Sequence, residues 1–359
     1  MVSTCFFREC FRLRAATVAE LHAFDEIIDA RSPGEFAEDR VPGAVNLPVL
    51  DDAERARVGT LHKQASPFEA KKVGAALVSR HIAHHLETWF ADKPRTYRPL
   101  VYCWRGGSRS GAMVHVLQKI GFPAVQLEGG YKAYRRHVVA ELARLPDLFA
   151  FRVVSGPTGS GKSRLLQALA AAGAQVLDLE ALAAHRGSLL GALPEQTQPT
   201  QKGFESAVWS VLEHLDPARA VYVESESRRI GAVQLPDALI EAMRASPCIR
   251  IEASLDVRVA LLTEDYAHFL GEPATLNARL EHLVELRGRE TVAAWQALAS
   301  RHAWSELVAA LLAQHYDPAY HKSLSHNYAP SADDRTFRTD DLSADGMRRL
   351  AQEILAAAR

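Results

Sequence analysis

One eight-residue segment restricts the fold of this chain more than any other. Gly156-Pro157-Thr158-Gly159-Ser160-Gly161-Lys162-Ser163 matches G-x-x-x-x-G-K-[ST], a loop whose backbone N–H groups cradle phosphate. It follows Phe151–Ser155, which reads as a strand, and precedes the helical run Arg164–Ala171. Strand, glycine loop and helix in that order call for an α/β domain, because the amides and dipole of the helix N-terminus must face the anion. Within the loop, Gly156, Thr158, Gly159, Ser160 and Gly161 bring backbone close to a phosphate chain. Lys162 is placed to neutralise a terminal phosphate and Ser163 to hold Mg²⁺. An acidic residue is expected near that metal. Ala220–Glu224 reads as a buried strand ending in acid, so Glu224 and Glu226 are candidates, and Asp178 after Val176-Leu177 is a third; the sequence leaves the choice open.

A second loop sits earlier in the chain. Cys103-Trp104-Arg105-Gly106-Gly107-Ser108-Arg109-Ser110 lies between the apolar strand Leu100-Val101-Tyr102 and a helix over Ser110–Ile120, with Ala112, Val116, Leu117 and Ile120 read as inward. A tight loop at a helix N-terminus aims several N–H groups at one point, and Gly106-Gly107 permit the backbone this needs. Amides, helix dipole and two arginines would favour the thiolate of a cysteine placed there. Context decides between a nucleophile and an inert buried thiol, and here it favours the nucleophile.

Short β-like runs alternate with helical patterns through about residue 255, so the class is α/β. Glu26–Ala30 reads as a buried strand, Arg31–Phe36 as a turn into a helix, and Val41–Pro48 as a loop with a short strand. Residues 67–91 carry helical spacing, with Val73, Leu77, Ile82, Leu86 and Phe90 as core positions. Ala124–Leu127 is a further strand and Tyr131–Leu145 a further helix, ended by Pro146. The expected domains are residues 1–146, the phosphate-loop domain 147–255, and a mostly helical C-terminal region 256–359 packed on it, with Trp295 and Trp304 as core.

The 359 residues exceed one ordinary core, and 48% hydrophobic with 24% charged residues is a globular composition. No apolar stretch has the length of a membrane span, and Arg8, Glu9, Arg12 and Arg14 break up any N-terminal signal core, so a cytoplasmic protein without a membrane partner is expected. Four cysteines, Cys5, Cys10, Cys103 and Cys248, do not form a disulfide pattern. The net charge of −1 is not that of a general nucleic-acid binder. Residues 1–150 nevertheless hold 21 Lys and Arg against 17 Asp and Glu, whereas residues 251–359 hold 11 against 16. Any RNA surface must therefore be a local patch, best placed in the N-terminal half.

Asp29-Ala30-Arg31-Ser32-Pro33-Gly34-Glu35-Phe36, Val41-Pro42-Gly43-Ala44-Val45-Asn46-Leu47-Pro48, the cysteine loop and Leu127-Glu128-Gly129-Gly130-Tyr131 together resemble a rhodanese domain, with Arg40 where many rhodaneses have His. The C-x₅-R ring resembles that of rhodanese-fold phosphatases and of some chalcogen transferases, and is roomy enough for a tetrahedral anion. A rhodanese-like domain joined to a P-loop domain resembles the tRNA 2-selenouridine synthase family. Further segments carry the likeness: Val58-Gly59-Thr60, Lys63-Gln64, Asp178-Leu179-Glu180, His185-Arg186-Gly187-Ser188, Gln198–Glu205, Glu224–Gly231 and Tyr316-Asp317-Pro318-Ala319-Tyr320.

The resemblance implies a chemistry. A wobble 2-thiouridine of tRNA is S-geranylated from geranyl diphosphate, and selenium from selenophosphate then replaces the geranylated sulfur. Cys103 would carry selenium as a perselenide, inside a loop of Trp104, Arg105, Gly106, Gly107, Ser108 and Arg109 whose two arginines bind the donor's oxyanions. The P-loop would hold the prenyl diphosphate with Mg²⁺, and Leu189, Leu190, Phe204 and Trp209 are candidates for the wall of the lipid tail. His185, Arg186, Lys202, Arg228 and Arg229 are candidate RNA or phosphate contacts. No tightly bound organic cofactor is expected; tRNA is the expected partner, and an enzyme supplying selenophosphate is a second candidate. His81, His84 and His85 have helical spacing that could suit a metal, though a solvated helix face is the simpler reading. The competing readings are a rhodanese-fold phosphatase or sulfurtransferase fused to an ATP-dependent kinase-like domain, and a tRNA-binding scaffold. Retention of Cys103, Lys162 and Ser163 argues against the scaffold.

Overall fold

A computed structural model of the chain describes residues 15–187, 196–265 and 273–358. Cys5, Cys10, Ser188, Leu189 and Leu190 lie outside the described residues. The chain divides into two compact units, Met1–Glu141 with Glu205–Ala207 and Leu142–Phe204 with Val208–Arg359.

The first unit is built on a five-stranded sheet. Its strands are β1 (Ala15–Ala16), β2 (Glu26–Asp29), β3 (Val45–Asn46), β4 (Pro99–Tyr102) and β5 (Val125–Leu127), in the order β1-β5-β4-β2-β3 and all parallel. β4 is buried at every position, as expected of a central strand covered on both faces. The helices Pro67–Thr88 and Ser108–Ile120 supply Ile82, Met113, Val114 and Leu117 to the core around Ile28 and Val101. Ile120, read as inward, is 56% exposed, because the helix ends at Gly121 in the left-handed region and its last turn clears the sheet. Of the three histidines only His84 is exposed. His85 is buried with Nε2 on the Pro48 carbonyl at 2.9 Å, and His81 Nε2 meets Glu54 at 2.6 Å.

One buried ion pair ties the end of β2 to the rest of this unit. Asp29 and Arg31 are 0% and 1% exposed, and the guanidinium donates Nε and Nη2 to the carboxylate at 2.6–3.0 Å. Arg31 Nη2 also reaches the Asp39 carbonyl, and the guanidinium lies 4.0 Å from the Tyr131 ring centroid. Burial by itself would lower the Arg31 pKa, but the Asp29 carboxylate outweighs it and holds the guanidinium above its ordinary range.

The second unit repeats the plan. β6 (Phe151–Ser155), β7 (Gln175–Leu177), β8 (Val221–Glu224), β11 (Cys248–Glu252) and β12 (Arg335–Arg338) form a parallel sheet in the order β12-β11-β6-β8-β7. β9 (Arg229–Ile230) and β10 (Val233–Gln234) make a small antiparallel hairpin. The edge strand β12 lies in the C-terminal region read as mostly helical. Its single buried residue, Phe337, gives too little apolar alternation to announce a strand. The final helix, Ala344–Ala357, packs on Lys162–Ala171 and buries Met347, Leu350, Ala351 and Ile354. A helical subcluster holds Trp295, 1% exposed, with Trp304 partly buried against it. No helix among the described residues is long and apolar enough to cross a membrane.

Arg31→Met should cost about 3–5 kcal/mol in urea unfolding, because it strands the buried Asp29 carboxylate. A loss under about 1 kcal/mol would show that the pair does not brace the sheet end.

Candidate functional site

Each sheet sends its middle strand into a loop. β4 ends at Tyr102, and Cys103 follows, 3% exposed, before the helix Ser108–Ile120. The ring closes against the strand–helix turn after β5. Tyr131 N donates to the Cys103 carbonyl at 2.8 Å, and Lys132 N to the Trp104 carbonyl at 3.0 Å. Gly130, at φ +58°, has no room for a side chain. A Cβ there would stand 2.2 Å from the Cys103 oxygen and 2.4 Å from the Gly106 nitrogen. Ser110 Oγ donates to Cys103 Sγ at 3.1 Å, and Gln126 Nε2 donates to Ser110 Oγ at 2.8 Å, so the thiol meets a fixed donor.

The two arginines of this loop differ. Arg109 is committed to Glu35, with Nη1 at 2.7 Å and Nη2 at 3.3 Å, and Arg55 Nε approaches the same carboxylate at 3.0 Å. Burial would raise the Glu35 carboxyl, but the Arg109 guanidinium overrides this and holds it down at about 2. Arg105 is exposed and has no ion pair among the described residues. Trp104 is half-buried and stacks on Tyr131, centroids 5.3 Å apart and planes at 28°. Tyr131 Oη in turn donates to Asp39 Oδ2 at 2.8 Å.

β6 leads into the phosphate loop in the same manner. Gly161 caps the helix Lys162–Ala171 at φ +80°, and Gly159 takes φ +82° where helix Leu255–Asp265 crosses the loop. A Cβ on Gly159 would lie 2.9 Å from Leu262 and 3.2 Å from the Arg258 carbonyl. Lys162 Nζ donates to the Gly156 carbonyl at 2.9 Å, and Ser163 Oγ donates to Glu180 at 2.8 Å. Of the three acids left open by the sequence, Asp178 accepts from Ala181 N and so caps the short helix Leu179–Ala183. Glu224 is 2% exposed and accepts the Glu180 N–H at 2.7 Å. Glu226 faces the cavity. Glu180 was visible only as part of a family segment, yet it is the carboxylate that meets Ser163.

A cavity of about 680 Å³ opens over this loop. It gathers Thr158, Gly159, Gly161, Lys162, Ser163, Asp178, His185, Arg186 and Glu226 from the sequence reading. Lys202, Arg228 and Arg229 do not line it: Lys202 is half-buried, Arg228 pairs with Asp237 at 2.6 Å, and Arg229 Nε holds the Gly231 carbonyl at 2.9 Å. The apolar wall also differs from expectation. Phe204 and Trp209 are 0% and 3% exposed and belong to the interior, and the wall comes instead from Leu261, Leu262, Tyr316, Ala319 and Tyr320. A π-helical turn, Leu312–Tyr316, sits just before Pro318 and turns these tyrosines toward the cavity. Pro318 offers no N–H to the preceding turn, which favours such a widened turn. Arg258, 5% exposed, donates to the Thr158 carbonyl at 2.9 Å and grips Asp317 at 2.6 and 3.1 Å. In the sequence it is one arginine in an amphipathic helix, with no signal to single it out.

The oxygen donors at this loop are of the kind a divalent cation takes. Four carboxyls crowd the loop, and Glu224 Oε2 is buried without a hydrogen-bond partner among the described residues. Burial raises all four above the ordinary carboxylate range, Glu226 to about 8, with Glu180 adding to that rise and Lys162 opposing it. Among the described residues, these four carboxyls included, no three His, Cys, Asp or Glu side chains are grouped as a metal site by themselves, so Ser163 Oγ beside Glu180 would have to complete any such set. Since the folded Glu226 keeps its proton to higher pH than the unfolded one, its protonation stabilises the fold fully below about pH 4.5, and this is lost as pH rises through about 8. In chelator, Glu226→Gln should therefore flatten the fall in melting temperature between pH 5 and 8. An unchanged slope would remove Glu226 as its source.

Comparison with known proteins agrees with this architecture. Residues 14–137 match the rhodanese-like domain model, and residues 149–281 match the tRNA 2-selenouridine synthase AAA domain model. The protein of Nitrosomonas europaea called tRNA 2-selenouridine synthase is 39% identical over 244 residues, which is 67% of this chain and 63% of that protein. Its namesake in Shewanella halifaxensis is 35% identical over 76% of this chain and 77% of its own length. For the one in Marinobacter nauticus the identity is 33%, over 83% and 88%. With a rhodanese-like domain, a phosphate-loop domain and relatives aligned along most of both chains, this protein belongs to the tRNA 2-selenouridine synthase family.

Proposed function

We propose that the chain converts the wobble 2-thiouridine of tRNA to 2-selenouridine in two steps, alkylation of sulfur at the phosphate loop and selenium entry at the cysteine loop. The observation that carries this reading is the mixed character of the cavity. Lys162, Ser163 and the loop amides form one side, and Leu261, Leu262, Tyr316 and Tyr320 form another. A diphosphate with a short apolar tail, such as geranyl diphosphate, matches both.

In the first step the 2-thio sulfur attacks C1 of the prenyl group. The C–S bond forms, the C–O bond breaks with its electron pair on the departing diphosphate, and the uridine N3 proton is lost. The loop amides and Lys162 stabilise the charge that gathers on the leaving group. Ser163 with Glu180 and Glu224 would hold Mg²⁺, which neutralises diphosphate charge when bound. Alkylation matters because it turns a poor leaving group into a neutral thiol.

In the second step Cys103 is the selenium acceptor, and Arg105, the arginine of this loop that Glu35 does not hold, meets the oxyanions of selenophosphate. The thiolate attacks selenium; the S–Se bond forms, and the P–Se bond breaks with its pair on phosphorus, which leaves as phosphite. The terminal selenide displaces geranylthiol from C2. A cellular thiol then cleaves the S–Se bond and frees 2-selenouridine, and a second thiol reduces the mixed disulfide at Cys103. This route consumes thiol and releases phosphite. Direct attack of selenophosphate on C2 with later hydrolysis would release phosphate and consume none.

Cys103→Ser should abolish selenium incorporation while geranylated 2-thiouridine accumulates, as read by mass spectrometry of nucleosides. Phosphorus NMR of the unaltered reaction should show phosphite; phosphate alone would overturn the perselenide, and selenation by the serine variant would remove Cys103 altogether.

Lys162→Ala should lower geranylation by about 100-fold or more, while pre-geranylated RNA is still selenated. Calorimetry with geranyl diphosphate and with ATP, each with Mg²⁺, tests the ligand directly. Tight ATP binding, RNA-stimulated hydrolysis and no binding of the prenyl diphosphate would favour a kinase-like activity instead.

A further inference from the structure

The rim of the cysteine loop carries side chains that neither step of the reaction uses. Helix Gly130–Leu142 starts where the ring closes, and Lys132 and Arg136 stand one turn apart on it, both exposed. Neither has an ion pair or hydrogen bond from its side chain among the described residues, unlike Arg109 and Arg55, which Glu35 engages. Both lie at the loop. Lys132 donates its backbone N–H to Trp104, and the Arg136 guanidinium is 3.8 Å from the position of a Cβ on Gly129.

Trp104 belongs to the same rim, its carbonyl accepting the Lys132 N–H. Its indole stacks on Tyr131, and the Arg31 guanidinium lies 4.0 Å from the centroid of the same Tyr131 ring. Tyr131 is itself fixed through its hydroxyl to Asp39. Tyr131 thus touches both Arg31 and Trp104, and Trp104 is half-buried and immediately follows Cys103 in the chain. Trp104 Nε1 meets no acceptor among the described residues.

A flat aromatic ring with cations around it is how proteins take hold of single-stranded nucleic acid, the ring stacking on a base and the cations meeting phosphates. A small anion such as selenophosphate needs no aromatic platform. An acidic protein partner would need none either. We propose that Trp104, Lys132 and Arg136 form the RNA-docking surface of this domain, with Trp104 stacking on an unpaired base next to Cys103 and the two cations meeting flanking phosphates. The inference rests on the tRNA reading above and assigns its surface. It also explains how a chain of net charge −1 can bind RNA, by a few unpaired cations at one rim.

The test uses the full chain and an anticodon stem-loop RNA with 2-thiouridine at the wobble position. Binding is measured by anisotropy across a salt series. Lys132→Gln with Arg136→Gln should reduce the slope of log K against log salt by about 1.4–1.8, two phosphate contacts' worth. Both side chains are exposed, so this variant should fold normally by circular dichroism. Trp104→Ala should weaken binding by roughly 5- to 150-fold and Trp104→Phe much less, since any aromatic face can stack. Unchanged affinity and slope in the double variant, with the unaltered chain binding RNA, would overturn this surface alone. Unchanged RNA binding with weaker selenophosphate-dependent labelling of Cys103 would also overturn it, and make the rim a donor site. No RNA binding by the unaltered chain would overturn both the surface and the tRNA reading.

Discussion

Both candidate sites arise where a buried parallel strand must hand the chain to a helix within a few residues. The first N–H groups of such a helix have no partner inside it, and they converge on the space beyond the strand end. In each sheet the strand that does this is the middle one, β4 before Cys103 and β6 before Gly156. Central strands are fixed on both edges, so the loops that follow inherit a rigid origin. In the first unit Gly130 and Gly106 let two turns interlock, and in the second Gly159 lets a helix cross the loop. The remaining structure largely serves to keep these two turns in place.

The electrostatics of the two loops are opposite. Around Cys103 the arginines dominate, and Arg109 depresses Glu35 far below an ordinary carboxyl. Around Lys162 carboxyls outnumber the cation, and all four are pushed upward. The first arrangement suits an oxyanion that arrives alone. The second suits an anion accompanied by a divalent cation, because Lys162 and Arg186 are too few to balance four carboxyls. That contrast is what the two donors proposed above would require, selenophosphate at one loop and a metal-bound diphosphate at the other. It also gives the cavity wall a role, since Arg258 binds both the phosphate loop and Asp317 at the start of the helix that carries Tyr320.

The sequence by itself determined the α/β class, both loops and the family, because each rests on local order. A strand, a glycine turn and a helix are neighbours along the chain, and Cys103, Lys162 and Ser163 are fixed by that order alone. It also supplied a short list of acids at strand ends. Only the tertiary structure decided among them, since Asp178 is taken up as a helix cap and Glu180 reaches Ser163 from the next strand's turn. The same holds for Phe204 and Trp209, whose burial removes them from the cavity, and for Tyr316 and Tyr320, which a π-helical turn brings to it. β12 was illegible because it buries one residue, and Arg258 because its partners are 100 and 59 residues away. Local pattern records which backbone a segment prefers; which side chains meet is set by long-range packing, and that information is not written at any one position.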